Sequence, residues 1–147
     1  MIAYLDSSAV VRSYLTDEAG SGAPHGLIRD PLVTTVTGSW TRIETTSAFV
    51  RAARTGRFVF EELEAALQRD SDPITGTLFV VDADQAEIEL IALKIVREHG
   101  LRAMDAWQLA CAYLTFDALA EPHEERAFVT RDAEQARVAR SWGYTIL

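Results

Sequence analysis

The sequence predicts an α/β domain: a five-stranded, mainly parallel sheet flanked by helices on both faces. Short apolar or β-branched runs recur along the chain at residues 2–5, 32–36, 78–81, 127–130 and 144–147. Longer stretches with helical spacing separate them, and Gly, Pro and Asp punctuate the joins. Strands that alternate with helices in this way pair in parallel and are covered on both sides.

In order, Ile2-Ala3-Tyr4-Leu5 reads as a buried strand ended by Asp6. Residues 7–16 space Ala9, Val10, Val11 and Tyr14 on a helix. Gly20, Gly22 and Pro24 break the chain before a short amphipathic piece through Leu27 and Ile28. Leu32-Val33-Thr34-Thr35-Val36 is rich in β-branched residues and predicts the second strand. A helix carrying Trp40, Ile43, Glu44, Ser47, Ala48 and Val50 runs towards Gly56. Another, residues 60–69, is closed by Asp72-Pro73. Leu78-Phe79-Val80-Val81 gives a third strand, and helices over 83–98 and 103–119 are separated by His99-Gly100. A fourth strand at 127–130, a helix at 132–142 and a fifth strand at 144–147 complete the pattern.

The length of 147 residues predicts one domain over 1–147, able to bury about 70% of its unfolded surface. Hydrophobic content of 48% with 24% charged residues argues against disorder. No apolar stretch approaches the roughly 20 residues of a membrane span, and the N-terminus lacks a basic region followed by an apolar one. Cys111 is the only cysteine and sits in a helix-core context, which points to a reducing, cytoplasmic setting. Net charge is −8, and apart from Lys94 every basic residue is arginine. Arg42, Arg51, Arg54 and Arg57 form the densest basic stretch, which reads as a solvated helix face or as a surface for phosphate or a partner. Trp40, Trp142, Phe58 and Phe60 exceed what a small core needs, which allows a homodimer.

Four acids mark the handovers between strands and helices: Asp6, Glu44, Asp105 and Asp132. Asp6 and Asp132 follow strands, at the end of a parallel sheet where ligands bind. Each has a bland alternative as a helix N-cap, open also to Asp105 if its helix starts there. Asp105 and Glu44 read as helix-interior acids among apolar or small residues, where capping does not account for them. Two unit charges ~4 Å apart repel by ~4 kcal/mol at an effective dielectric of 20. A cluster of carboxylates is retained if a cation resides in it, and oxygen-only ligands select Mg²⁺ or Mn²⁺.

Tyr4-Leu5-Asp6-Ser7-Ser8-Ala9-Val10-Val11-Arg12 resembles the opening motif of PIN-domain ribonucleases. Asp105-Ala106-Trp107-Gln108-Leu109-Ala110 resembles that family's third acidic motif. Phe128-Val129-Thr130-Arg131-Asp132, followed by Ala139, Gly143 and Ile146-Leu147, resembles its ending. With Glu44, the resemblance spans nearly the whole chain and keeps the order of acids. The compact length is most similar to the VapC-type toxins of bacterial toxin–antitoxin pairs.

The resemblance implies a Mg²⁺- or Mn²⁺-dependent endoribonuclease whose partners are RNA and a cognate antitoxin. It makes Asp6 and Asp105 the firmest metal ligands, followed by Asp132, with Glu44 a ligand or an orienter of the attacking water. Ser8 and Thr130 carry hydroxyls near the same crevice, to orient a carboxylate or touch a phosphate, or simply to cap locally. Arg12, with Arg42, Arg51 and Arg54, is a candidate contact for RNA or the antitoxin. His25, His99 and His123 fall in loop-like contexts, which disfavours metal-free ribonuclease chemistry. Two other classes compete. A non-catalytic PIN-like module that binds RNA or protein normally lacks one of the acids. A phosphoacceptor receiver needs a lysine at a late strand end, and Lys94 lies within a helix.

Overall fold

In a computed structural model, which describes residues 1–17 and 22–147, the chain forms five strands and seven helices among the described residues. They run β1 (Ile2–Leu5), α1 (Ser7–Tyr14), α2 (Gly22–Arg29), β2 (Thr34–Gly38), α3 (Trp40–Arg54) and α4 (Phe60–Asp70). Then come β3 (Leu78–Val81), α5 (Gln85–His99), α6 (Ala103–Leu119), β4 (Arg126–Val129), α7 (Ala133–Ser141) and β5 (Thr145–Ile146). The strand order is β3-β2-β1-β4-β5 and every pairing is parallel. The α/β class and the flanking helices are therefore as the sequence predicts, with a sheet parallel throughout.

Strand β1 is central. Ile2 and Tyr4 point into a core built with α5, α6 and α7, while Ala3 and Leu5 point into a second core built with α1 to α4. All four are buried, because a strand covered on both faces has no solvent side and reads as a continuous apolar run. From β1 the chain steps outward through β2 to β3, then crosses through α5 and α6 to β4 on the other side of β1. The strand order reverses between β1 and β4, and a crevice opens there beyond their carboxyl ends.

Strand β2 is shifted from its expected place. Leu32 is 82% exposed in a turn closed by Asp30, whose carboxylate accepts the Leu32 amide at 2.9 Å and whose carbonyl accepts that of Val33 at 3.1 Å. The strand instead runs to Gly38 and buries Thr35 and Thr37, whose hydroxyls lie 2.6 Å from the Thr77 carbonyl and 2.8 Å from that of Leu5. Satisfied threonines thus occupy core positions that an apolar pattern does not mark. Gly22 and Pro24, expected as breakers, lie in the first turn of α2, where a missing amide hydrogen leaves no bond unmade. Gly20 lies outside the described residues. His25 and His99 belong to α2 and α5 rather than to loops, and His123 alone is in a loop, with φ 68°. The first helix ends at Tyr14, two residues short of its expected end.

Gly38 is required by close approach. A Cβ there would stand 2.7 Å from the Tyr4 hydroxyl and 3.4 Å from Cys111 Sγ. Cys111 itself is buried and free, as its helix-core context implied. Among the described residues, no helix is long and apolar enough to cross a membrane.

Among the described residues, one buried side-chain polar atom is left over. Thr45 Oγ1, on the inner face of α3, has no hydrogen-bond partner. A buried hydroxyl without a partner costs about 1–3 kcal/mol. Thr45→Val keeps the branched shape and should stabilise the fold by ~1 kcal/mol. Urea unfolding would show this as a higher midpoint at unchanged slope; a lower midpoint would mean the hydroxyl is satisfied in solution.

Candidate functional site

Asp6 is built into the frame more deeply than the other acids. It leaves β1 and caps α1, with Oδ1 accepting the Ala9 amide at 2.7 Å and the Ser8 hydroxyl at 2.8 Å. Oδ2 accepts the Thr130 hydroxyl at 2.5 Å, and the Asp6 amide continues the β1–β4 ladder to the Val129 carbonyl at 3.1 Å. Only 5% of the residue is exposed. Burial pushes the Asp6 carboxyl up; bonds from Thr130, Ala9 and Ser8 and the charge of Arg12 pull it down without cancelling the rise.

Glu44 lies half-buried on α3 and is held from two other elements. Its Oε2 meets the Ser7 hydroxyl and accepts from Gln108 Nε2 at 3.0 Å. The Gln108 amide also reaches Ser7 Oγ at 2.7 Å and Thr41 Oγ1 at 3.2 Å. Its orientation comes from Tyr4, whose hydroxyl donates to Gln108 Oε1 at 2.8 Å. Burial raises the Tyr4 phenol well above its ordinary value, so it stays a donor.

Asp105 is not a helix-interior residue. Helix α6 begins at Ala103, which puts Asp105 in the first turn, where the macrodipole favours an anion. Among the described residues no donor meets its carboxylate. Burial raises its carboxyl first, then the charge of Asp132, with smaller contributions from Asp6 and Glu44 and an opposing one from Arg102. The charges of Asp6, Glu44 and Asp132 are therefore all felt at Asp105. Asp132 is exposed and caps α7, its Oδ1 accepting the Gln135 amide at 2.8 Å. The cap alternative thus holds for Asp6 and Asp132 while both still front the crevice.

Thr130 ties the pieces together. Besides Asp6, its Oγ1 accepts the Asp132 amide at 3.0 Å and lies 2.7 Å from Gln135 Oε1. Gln135 Nε2 in turn donates to the Asp105 carbonyl at 3.0 Å. Gln108 and Gln135 are the supports that sequence reasoning missed, with Ser7, Thr41 and Tyr4. Each glutamine stands three residues after an acid at a helix start, Asp105 and Asp132, and each is buried. That repeated spacing, a glutamine in an apolar helix face one turn beyond an aspartate, was the available signal.

Arginines border Glu44. A pocket of about 270 Å³ is lined by Glu44, Ser7, Ser8, Arg12, Arg51 and Arg131, among others. Arg12 and Arg51 are thus placed at the crevice, joined by Arg131, which the sequence reading did not single out. Arg42 and Arg54 line a larger open groove of about 880 Å³ along the exposed side of α3, which Arg51 also touches.

The donor set suits a hard divalent cation: carboxylate oxygens with serine and threonine hydroxyls, and no thiolate or imidazole. Among the described residues no three His, Cys, Asp or Glu side chains converge closely enough to hold an ion between them. Mg²⁺ commonly keeps several waters and takes one or two carboxylates plus substrate phosphate, so an ion here would have to be held by fewer than three of these side chains. Asp105, which lacks a donor, and Asp6, fixed on both oxygens, are the residues that would hold it.

No protein-family model matches the chain, and no curated protein is significantly similar to it in sequence.

The raised Asp105 carboxyl has a stability signature. A folded value above the ordinary 3.8 contributes stability that is complete below pH 3.8 and lost as pH rises through the folded value. In chelator, Asp105→Asn should therefore melt above the wild type at neutral pH, with the gain vanishing below pH 3.8. Thermal melts across that range check it. A variant melting lower at neutral pH would make Asp105 a plain first-turn helix acid.

Proposed function

We propose that the crevice is the active site of a Mg²⁺- or Mn²⁺-dependent endoribonuclease of the PIN-domain type, acting as a VapC-like toxin. The observation that carries this reading is Asp105, a half-buried carboxylate that no donor among the described residues meets. It is under the charge of three further acids, Asp6 and Glu44 held by side chains and Asp132 by the Gln135 amide. The Asp105 oxygens are left to solvent or to a cation, and the neighbouring negative charges favour a cation there.

A divalent cation bound there would stabilise charge on the phosphate oxygens and lower the pKa of a water. The chain does the rest. Asp6 is orientation-locked by Ala9, Ser8 and Thr130, which keeps one ligand direction constant. Glu44 uses Oε2 for Ser7 and Gln108, so Oε1 is left to accept a proton from the attacking water. Arg12, Arg51 and Arg131 line one pocket with Glu44 and suit the flanking phosphates, since a guanidinium matches phosphate geometry. The receiver-like alternative lacks its lysine: Lys94 is exposed on α5 and lies 4.0 Å from Glu98.

Asp6→Asn and Asp105→Asn should each reduce cleavage of a structured RNA in Mn²⁺ to background and abolish growth toxicity, with the fold intact. Cleavage at the wild-type rate by either variant would overturn the site. A cognate antitoxin should place an arginine in the crevice, where its charge would stand in for the cation and exclude RNA. A crystal structure of the complex with inhibitor bound elsewhere and the crevice open would refute that mode of inhibition.

A further inference from the structure

We infer that Trp40 is a stacking platform for a nucleobase beside the scissile phosphate. The inference rests on the ribonuclease reading above and names a further substrate-contacting residue of that site.

Helical spacing places Trp40 on the crevice side of α3. Residues three and four apart share a helix face, which aligns Trp40, Glu44, Ala48 and Arg51. Glu44, Ala48 and Arg51 all line the small pocket beside the acids, and Trp40 is the next step along that stripe, at the carboxyl end of β2. From Trp40 to Arg51 the stripe is roughly 16 Å long at 1.5 Å per residue, a reach of a few nucleotides.

A second observation fixes the ring. Trp40 meets Trp107 edge to face, with centroids 6.1 Å apart and planes at 65°. Trp107 follows Asp105 by two residues on α6 and packs partly buried against the core. The indole therefore spans from the Glu44 helix to the Asp105 helix and is held by one neighbour. It nevertheless remains 43% exposed. An aromatic ring braced by one neighbour yet open to solvent beside these acids suits base stacking, which tolerates any sequence because every base has a π-face.

The test is steady-state cleavage, in Mn²⁺, of an RNA hairpin cut in its loop, by wild type, Trp40→Leu and Trp40→Phe. Leucine keeps apolar bulk without a π-face; phenylalanine keeps the face. Loss of one stacked base should raise KM about tenfold or more for Trp40→Leu at similar kcat, with Trp40→Phe near wild type. Abasic sites flanking the cut should remove the difference between the proteins. An unchanged KM for Trp40→Leu overturns the platform, including the case in which the variant merely loses self-association. If wild type cleaves and the variants match it, only the platform fails. If wild type cleaves no RNA at all, the ribonuclease reading fails and the platform with it.

Discussion

The structure turns on one buried carboxylate. Asp6 stands where the central strand meets the first helix, almost wholly removed from water, and burial there opposes its ionisation. Three donors from two stretches of chain answer that cost: the α1 amide of Ala9, the Ser8 hydroxyl and the Thr130 hydroxyl beyond β4. The same contacts define the helix start, close the β1–β4 seam and fix the orientation of an acid at the crevice. Asp132 caps α7 in a similar way at the surface, and Asp105 stands uncapped in the first turn of α6, each where backbone dipoles favour an anion.

Much of the fold was legible because β1, β3 and β4 are apolar on both faces and the intervening helices are long. Strand β2 was displaced because Leu32-Val33 mimics a strand start, whereas Asp30 turns the chain there and threonines fill the core positions beyond. Apolar patterning cannot rank a satisfied buried threonine against an exposed leucine. Gly22 and Pro24 misled for a related reason: a breaker is harmless in a helix's first turn, and nothing nearby in sequence marks that turn.

The acids were legible one by one, since each sits at an element boundary, but their supports were not. Gln108 lies among apolar residues of α6, and its partners Tyr4, Ser7, Thr41 and Glu44 come from three separate parts of the chain. Such a network exists only once β1, α1, α3 and α6 are packed. Asp105 illustrates a different error: the expected helix start at 103 was right and already put it in the first turn, but its apolar neighbours suggested a helix interior. Arg131 joins the crevice because the turn after β4 brings it beside α1, which linear spacing from Arg12 does not reveal.

Gln108 also bears on how the two halves of the molecule move. It rises from the α5–α6 layer, takes its orientation from a phenol beneath the sheet, and grips Ser7 and Glu44 of the opposite layer. It works as a rivet through the end of the sheet. Sliding of one helical layer past the other would have to shear those bonds together, so they oppose widening of the crevice by that route. A ligand taken up there would meet a frame that resists reshaping, and more of the conformational adjustment would fall on the ligand.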